Sequence, residues 1–348
     1  MQYFACVCLI REHGRILFMK ILGIGFSCVD MIQKDDRVKF MNGGTCLNVL
    51  TVLSQLGWKS EILLPLLKQD ALSTVFEENM RKLGVVFLGC GKSRRPVSRI
   101  IQIYDKQKKH EFILKCPKCG KKMITRPFGT EAEYEQIAHN LKNYDLLYFD
   151  RITYGIKRVV KDFAKVDKPV IYEPNSGRNL KAVAEISGQI DVLKFSITKI
   201  SLNAAEKIAI TNKDSRLKLM IATAGSEGLY FRYRENNGNF SSWIKIDGIE
   251  NQNIVDTSGA GDWLTAGFLY SFFENKEYIY NKDSLTKAFL FGMKLSGICM
   301  QAEGAQGSFY SKELLQLLKE QFHFRLEQPM KIKRPIIDNE KACTVCHL

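Results

Sequence analysis

The chain has 348 residues, 45% of them apolar, and a formal charge of +14. That length and apolar fraction suffice for one large α/β core with a small appendage, or for two domains. No apolar run is long enough to span a bilayer. The short apolar stretch before Arg11-Glu12 lacks a basic n-region and a small-residue cleavage site, which argues against a secretory leader. Ten cysteines without such a leader fit reduced thiols and a cytoplasmic protein. Four of them, Cys28, Cys46, Cys90 and Cys299, sit singly among apolar residues, as small buried hydrophobes do.

A core strand begins near Met19, so residues 1–18 read as a mis-called translation start or a loose extension. Residues 21–26 form a buried strand leading to Ser27-Cys28-Val29-Asp30, and the polar stretch 34–40 fits an edge strand. Gly43-Gly44 breaks the chain before a helix in which Leu47, Leu50, Leu53 and Leu56 recur at helical spacing, closed by Gly57. A strand over 61–66, a helix over 70–83 and a strand over 84–88 give the alternation of a parallel sheet with crossover helices. Residues 97–104 and 110–115 alternate apolar and polar around a charged turn, which predicts an antiparallel hairpin.

This hairpin lies in the most basic part of the chain. Residues 92–126 carry twelve Lys or Arg against Asp105 and Glu111, an excess of +10 that leaves +4 for everything else. Such a patch is either a solvated face or an attractor of phosphorylated or polyanionic partners. The hairpin runs into Cys116-Pro117-Lys118-Cys119-Gly120, the shape of a zinc knuckle. Cys343 and Cys346, beside His347, offer the other pair at this spacing. On ligand count the four thiolates make a zinc site joining hairpin to C-terminal tail. Cys343 to His347 also spells a haem-attachment pattern, against which the missing export signal argues.

A helix over 131–142 precedes a strand over 144–150 that ends in Asp150, and ligands of open α/β sheets bind beyond the carboxyl ends of strands. The alternation continues with a helix at 154–165, a strand at 168–172, the turn Glu173-Pro174-Asn175-Ser176-Gly177-Arg178, and strands at 191–195 and 216–222. The last of these leads to Thr223-Ala224-Gly225-Ser226-Glu227-Gly228. A hairpin over 229–233 and 243–246 follows. A helix over 285–303 carries a small face of Gly292, Ser296 and Gly297, and an amphipathic helix is expected over 311–324. The tail from 328 has no core pattern.

Between these elements lies Asp256-Thr257-Ser258-Gly259-Ala260-Gly261-Asp262, followed by the apolar helical run 264–273. A Gly-Ala-Gly turn at a helix N-terminus collects unpaired N–H groups and the positive end of the helix dipole into an anion site. Asp262 then falls in the first helical turn, where a carboxylate can accept the proton of an attacking hydroxyl. The plainer alternative is a helix start with an acidic cap.

The seven-residue run resembles the second signature of the ribokinase-like (pfkB-type) carbohydrate kinases. Gly43-Gly44-Thr45-Cys46-Leu47-Asn48 through Gly57 resembles their first signature, and the two stand in the family's order and separation. The resemblance covers about residues 19–325. It implies one α/β ribokinase-like domain, a mostly parallel sheet in three layers, with a small β lid from about 34–42 and 95–126.

It further implies ATP-dependent phosphorylation of a hydroxyl group on a sugar, nucleoside or related small molecule, with Mg2+ on the phosphates. Asp262 would be the base, with Gly259, Ala260 and Gly261 as the anion hole. Asp30, Gly43, Gly44, Asn48 and Asp150 would contact the acceptor, and Thr223, Gly225, Gly228, Asp256 and Thr257 the nucleotide. Members usually pack a small helical face, here Gly292, Ser296 and Gly297, on the adenine. The lid is also where a homodimer would form. The family usually has a Glu where this chain has Lys199: either a nearby acid such as Glu206 substitutes, or metal handling is altered, or activity is reduced. That departure keeps open a non-catalytic sensor or scaffold. The basic lid keeps open a nucleic-acid-associated nucleoside kinase, a reading the signatures do not favour. The zinc site has no counterpart in the family.

Overall fold

The computed structural model describes residues 19–311 apart from 35–36, 105–109, 126, 178–179, 212–214, 252 and 275–277, together with residues 314 and 316. Residues 1–18, the hairpin turn 105–109, Arg178, most of the run 311–324 and the tail with Cys343 and Cys346 lie outside the described residues.

The chain enters through β1 (Lys20–Ile24), where Ile21, Leu22 and Ile24 are almost wholly buried. It leaves the main body as a hairpin of β2 (Cys28–Lys34) and β3 (Arg37–Gly43). It then returns through α1 (Thr45–Gln55), β4 (Lys59–Leu67), α2 (Ala71–Lys82) and β5 (Val85–Arg95). A second excursion forms β6 (Arg99–Tyr104) and β7 (His110–Ile113). After α3 (Glu131–Glu135), strands and helices alternate: β8 (Leu146–Phe149), α4 (Tyr154–Lys165), β9 (Val170–Tyr172), α5 (Leu180–Ser187), β10 (Val192–Ser196), α6 (Leu202–Thr211) and β11 (Leu219–Thr223). The hairpin of β12 (Leu229–Tyr233) and β13 (Ile244–Ile246) precedes two long helices, α7 (Ala260–Phe273) and α8 (Lys282–Cys299).

Nine strands form the main sheet in the order β13-β12-β11-β10-β9-β8-β1-β4-β5. All pairs are parallel except the β11-β12-β13 edge. Because alternate side chains of a strand point to opposite faces, the sheet feeds two apolar clusters. Ile21, Tyr148, Ile171 and Val192 meet α1, α7 and α8 on one face. Leu22, Leu147, Tyr172 and Leu193 meet α4, α5 and α6 on the other. The fold is the ribokinase-like three-layer sandwich expected.

The lid is a separate four-stranded sheet, β3-β2-β6-β7. The hairpin expected at 97–115 is its β6–β7 pair. Its other half starts earlier than expected, because β2 begins at Cys28 and carries Asp30 into the lid rather than leaving it at the end of the first core strand. The lid reaches the main body, for a Cβ built on Gly304 would lie 2.9 Å from Met41 Sδ and 3.1 Å from Ile32 Cδ1.

Two helical expectations change. The helix expected over 131–142 stops after five residues and gives way to a 3-10 turn at Ala138–Asn143. Thr130 and Glu133 start it with a reciprocal cap, but Asn140 and Asn143 are poor helix formers. The small face of α8 is partly consumed by packing on α7. A Cβ on Gly292 would lie 2.5 Å from Leu264 O, and one on Gly267 2.6 Å from Gly292 Cα. Phe268 and Phe289 stack beside this crossing with centroids 4.8 Å apart. At Gly297 a Cβ would instead meet Asn251 Nδ2 at 3.5 Å, and the Gly297 carbonyl accepts a hydrogen bond from that group at 2.9 Å.

Candidate active site

Four parallel pairings align the carboxyl ends of β1, β8, β9, β10 and β11 along one edge, and α7 begins over that edge. Gly259 is its N-cap, with φ 81°. Trp263, wholly buried, pins the first turn by donating from Nε1 to Ala305 O at 2.7 Å. Ala260 N–H closes a turn on Thr257 O at 3.2 Å. One of the three expected anion-hole amides is therefore engaged within the chain, and the amides that follow it stand at the helix start, where no intrahelical acceptor exists.

Asp262 occupies the first turn of α7. It is a half-buried residue whose carboxylate accepts from Asn48 Nδ2 at 2.7 Å, across 214 positions of sequence. That bond joins the two signature motifs. Burial pushes the Asp262 carboxyl up to about 7; Glu173 and Asp150 push the same way, while the Asn48 bond and Lys194 oppose them.

Around this pair the expected acceptor residues gather. Gly44 is the N-cap of α1, which places Asn48 on the helix's first full turn. Asp30 is buried in β2, and burial raises its carboxyl to about 6 against hydrogen bonds from Cys28 and Gln102. A Cβ on Gly43 would lie 1.9 Å from Asp30 Oδ2, so Gly43 makes room for that carboxylate. Asp150 is buried behind them. Its Oδ1 accepts from Phe26 N at 2.8 Å, and Oδ2 lies 3.3 Å from Arg151 Nη1. It thereby fixes the loop after β1. The cap of α4 is Thr153, not Asp150.

The expected nucleotide residues divide. Thr223 ends β11, and Gly225 starts a 3-10 turn where a Cβ would meet nothing within 4 Å. Gly228 is spent on packing, since a Cβ there would lie 2.1 Å from Ile246 O. Thr257 is exposed, but Asp256 is buried and committed to its own loop. Its oxygens accept from Ser258 N at 2.8 Å and Gly304 N at 2.7 Å.

Lys199 sits on an exposed turn with Nζ 3.4 Å from Asn175 Oδ1. Glu206, the acid expected to substitute, accepts from Trp243 Nε1 at 2.8 Å and pairs with Arg232. Among the described residues no group of three or more His, Cys, Asp or Glu is placed to hold a metal ion. Cys116 is buried and Cys119 exposed, on a tight turn that Gly120 N–H closes on Cys116 O at 2.8 Å. Cys343 and Cys346, the other half of the expected four-thiolate site, lie outside the described residues.

Sequence reasoning missed the ionic layer beneath the helix start. Lys194 of β10 is 3% exposed and its ammonium pairs with Glu173 at the end of β9. The available signal was one lysine inside the apolar strand Val192-Leu193-Lys194-Phe195, since a charge there requires a partner.

A three-layer α/β sheet with a small separate lid, and with a carboxylate set in a helix's first turn over the strand ends, defines the ribokinase-like class of small-molecule kinases. Residues 24–312 match the pfkB family of carbohydrate kinases, and the chain belongs to that family. It is 24% identical over 137 residues to a probable fructokinase-5 of Arabidopsis thaliana, a match covering 38% of this chain and 40% of that protein. The fold matches a ribokinase of Thermotoga maritima with TM-score 0.66 at 18% identity, over 87% of this chain and 100% of that one. It also matches an Arabidopsis thaliana ribokinase complexed with ribose and ATP, with TM-score 0.64 at 17% identity, over 87% and 99%. Among the described residues no helix is long and apolar enough to cross a membrane.

Proposed function

We propose that this protein transfers the γ-phosphoryl group of ATP to a hydroxyl group of a sugar or a related small polyhydroxy compound. The observation that carries this reading is the Asn48–Asp262 bond, which holds a carboxylate of raised pKa in the first turn of α7. In the proposed reaction Asp262 accepts the proton of the acceptor hydroxyl as its oxygen attacks the γ-phosphorus, and ADP leaves. The N–H groups at the start of α7, with Gly259 and Gly261 allowing close approach, offset the charge on the transferring group. Asp30 and Asn48 orient the acceptor, and Gly43 and Gly44 give the joint on which the lid meets the main sheet. Thr223, Gly225 and Thr257 lie where the nucleotide would extend. The fructokinase and ribokinase relatives favour a sugar as acceptor.

A divalent ion has no protein-only cage among the described residues. Magnesium typically keeps several waters and binds through substrate phosphates with few carboxylates. It would therefore arrive on the nucleotide, and no step is assigned to it.

ATP consumption measured against hexoses, pentoses, sugar acids and nucleosides tests the reading. Acceptor-dependent ADP formation with one class of sugar is expected. If no acceptor raised turnover while ATP or a sugar still bound, the protein would be a sensor, and Lys199 in place of an acid would be the leading cause.

A base with pKa about 7 also fixes the pH response. Below that value Asp262 is protonated and cannot take the proton, so kcat/KM should fall about tenfold per pH unit on the acid side and level off above about 7. A profile flat down to pH ~5 would remove Asp262 from the role of base.

A further inference from the structure

Three neighbouring strands send polar side chains to the same face at their carboxyl ends: Tyr148 from β8, Glu173 just after β9, and Lys194 from β10. All three lie under the start of α7. Lys194 Nζ donates to Glu173 Oε1 and, at 3.3 Å, to the Gly261 carbonyl oxygen. Tyr148 OH donates to Glu173 Oε2 at 3.0 Å. Thr265, one turn along α7, has its hydroxyl 2.9 Å from both Glu173 Oε2 and Gly261 O, so its single proton serves either one. Side-chain exposure is 3% for Lys194 and 13% for Glu173, and Tyr148 and Thr265 are buried.

Stability does not account for this layer. A buried ion pair recovers little beyond the cost of desolvating its two charges, and apolar side chains of the same volume usually serve as well. What an apolar pair cannot do is hold a carbonyl. The Gly261 carbonyl belongs to the peptide that carries the Asp262 N–H, so holding its oxygen fixes both that amide and the direction in which Asp262 leaves the helix. The ammonium also stands behind the helix start, adding positive charge where an anion would sit in front.

We propose that Lys194 is a positioning residue for phosphoryl transfer, anchored by Glu173, that sets the Gly261–Asp262 peptide and so aims both the base and the anion-binding amides. This rests on the kinase reading above. Lys194→Met alone would leave Glu173 unpaired in the core and endanger folding, so the deciding variant is Lys194→Met/Glu173→Gln, which removes both charges.

The double variant is expected to fold with a melting temperature near that of the wild type. Its kcat should fall about 30-fold, with KM for ATP and acceptor changed less than about threefold, because ground-state contacts remain while transition-state alignment is lost. The charge-keeping exchange Lys194→Arg/Glu173→Asp should recover much of that loss. Amide hydrogen exchange of residues 256–265 should quicken in the double variant while the rest of the sheet stays protected. Unchanged kcat in a folded, active double variant would overturn the proposal, as would a change confined to KM or unaltered exchange at 256–265. Were the wild type itself without acceptor-dependent turnover, the kinase reading would fail on that result. The exchange measurement would still decide whether the pair holds the first turn of α7.

Discussion

Asp262→Asn is expected to lower kcat about 10³-fold, the range spanned by loss of a general base, and to leave the fold intact. The amide can still accept from Asn48 Nδ2, which now donates to Asp262 Oδ2 at 2.7 Å. The substitution also removes a carboxyl that burial, Glu173 and Asp150 push up to about 7. A group whose folded pKa is raised favours the folded state at low pH and loses that contribution as pH rises through its folded value. The variant should therefore match wild-type stability in acid and exceed it above pH about 7. Turnover with the best acceptor and melting curves across pH check both halves. A variant that kept activity within tenfold would show that the proton leaves by another route.

Gly44→Ala should cost about 3 kcal/mol of stability, more than a lost contact on an exposed surface. Gly44 has φ 98° and ψ 136°, a region open to glycine and strained for any residue with a Cβ. The added methyl would lie 2.6 Å from Phe26 O and 2.7 Å from Ser27 Cα, both backbone atoms that cannot turn aside. Phe26 O is also the acceptor for Cys46 N–H at 3.2 Å, so relief by moving residue 26 would undo the entry to α1. Because Asn48 lies on the next turn, its hold on Asp262 should loosen, and activity should fall further than stability alone accounts for. Denaturant midpoints with unchanged slope, read beside kcat, separate the two effects. A midpoint within experimental scatter of the wild type would mean that the turn accommodates a side chain.

Asp262 and Gly44 are visible in the sequence, but their effects depend on distances that it does not contain. The two glycine-bearing motifs were legible because glycine followed by helical periodicity has few local solutions. Gly44 and Gly259 indeed cap α1 and α7 with positive φ. The alternation of strands and helices was legible for the same reason, and α4 begins and ends where its pattern does, at Tyr154 and Lys165. Where the structure adds to an expectation, a residue had been given a role before its neighbours were known. Asp256 carries a carboxylate beside a phosphate-binding turn, yet both oxygens are taken by amides of Ser258 and Gly304. Glu206 was the nearest acid in sequence to the position held by Lys199, but Trp243 and Arg232 claim it.

The sequence by itself determined the architecture, the family and the places where α1 and α7 begin. The alternation of elements and the helix starts follow from hydrophobic period and glycine positions, which act over a few residues and survive without knowledge of the rest; the family is given by the resemblance of the two glycine-bearing motifs to its signatures. Only the tertiary structure decided what the polar groups do. It brought Asn48 to Asp262, set Asp30 in the lid, and placed Lys194 and Glu173 beneath Gly261. The physical reason is that a buried polar group is defined by its partners, and in this protein those partners come from strands and helices far apart along the chain.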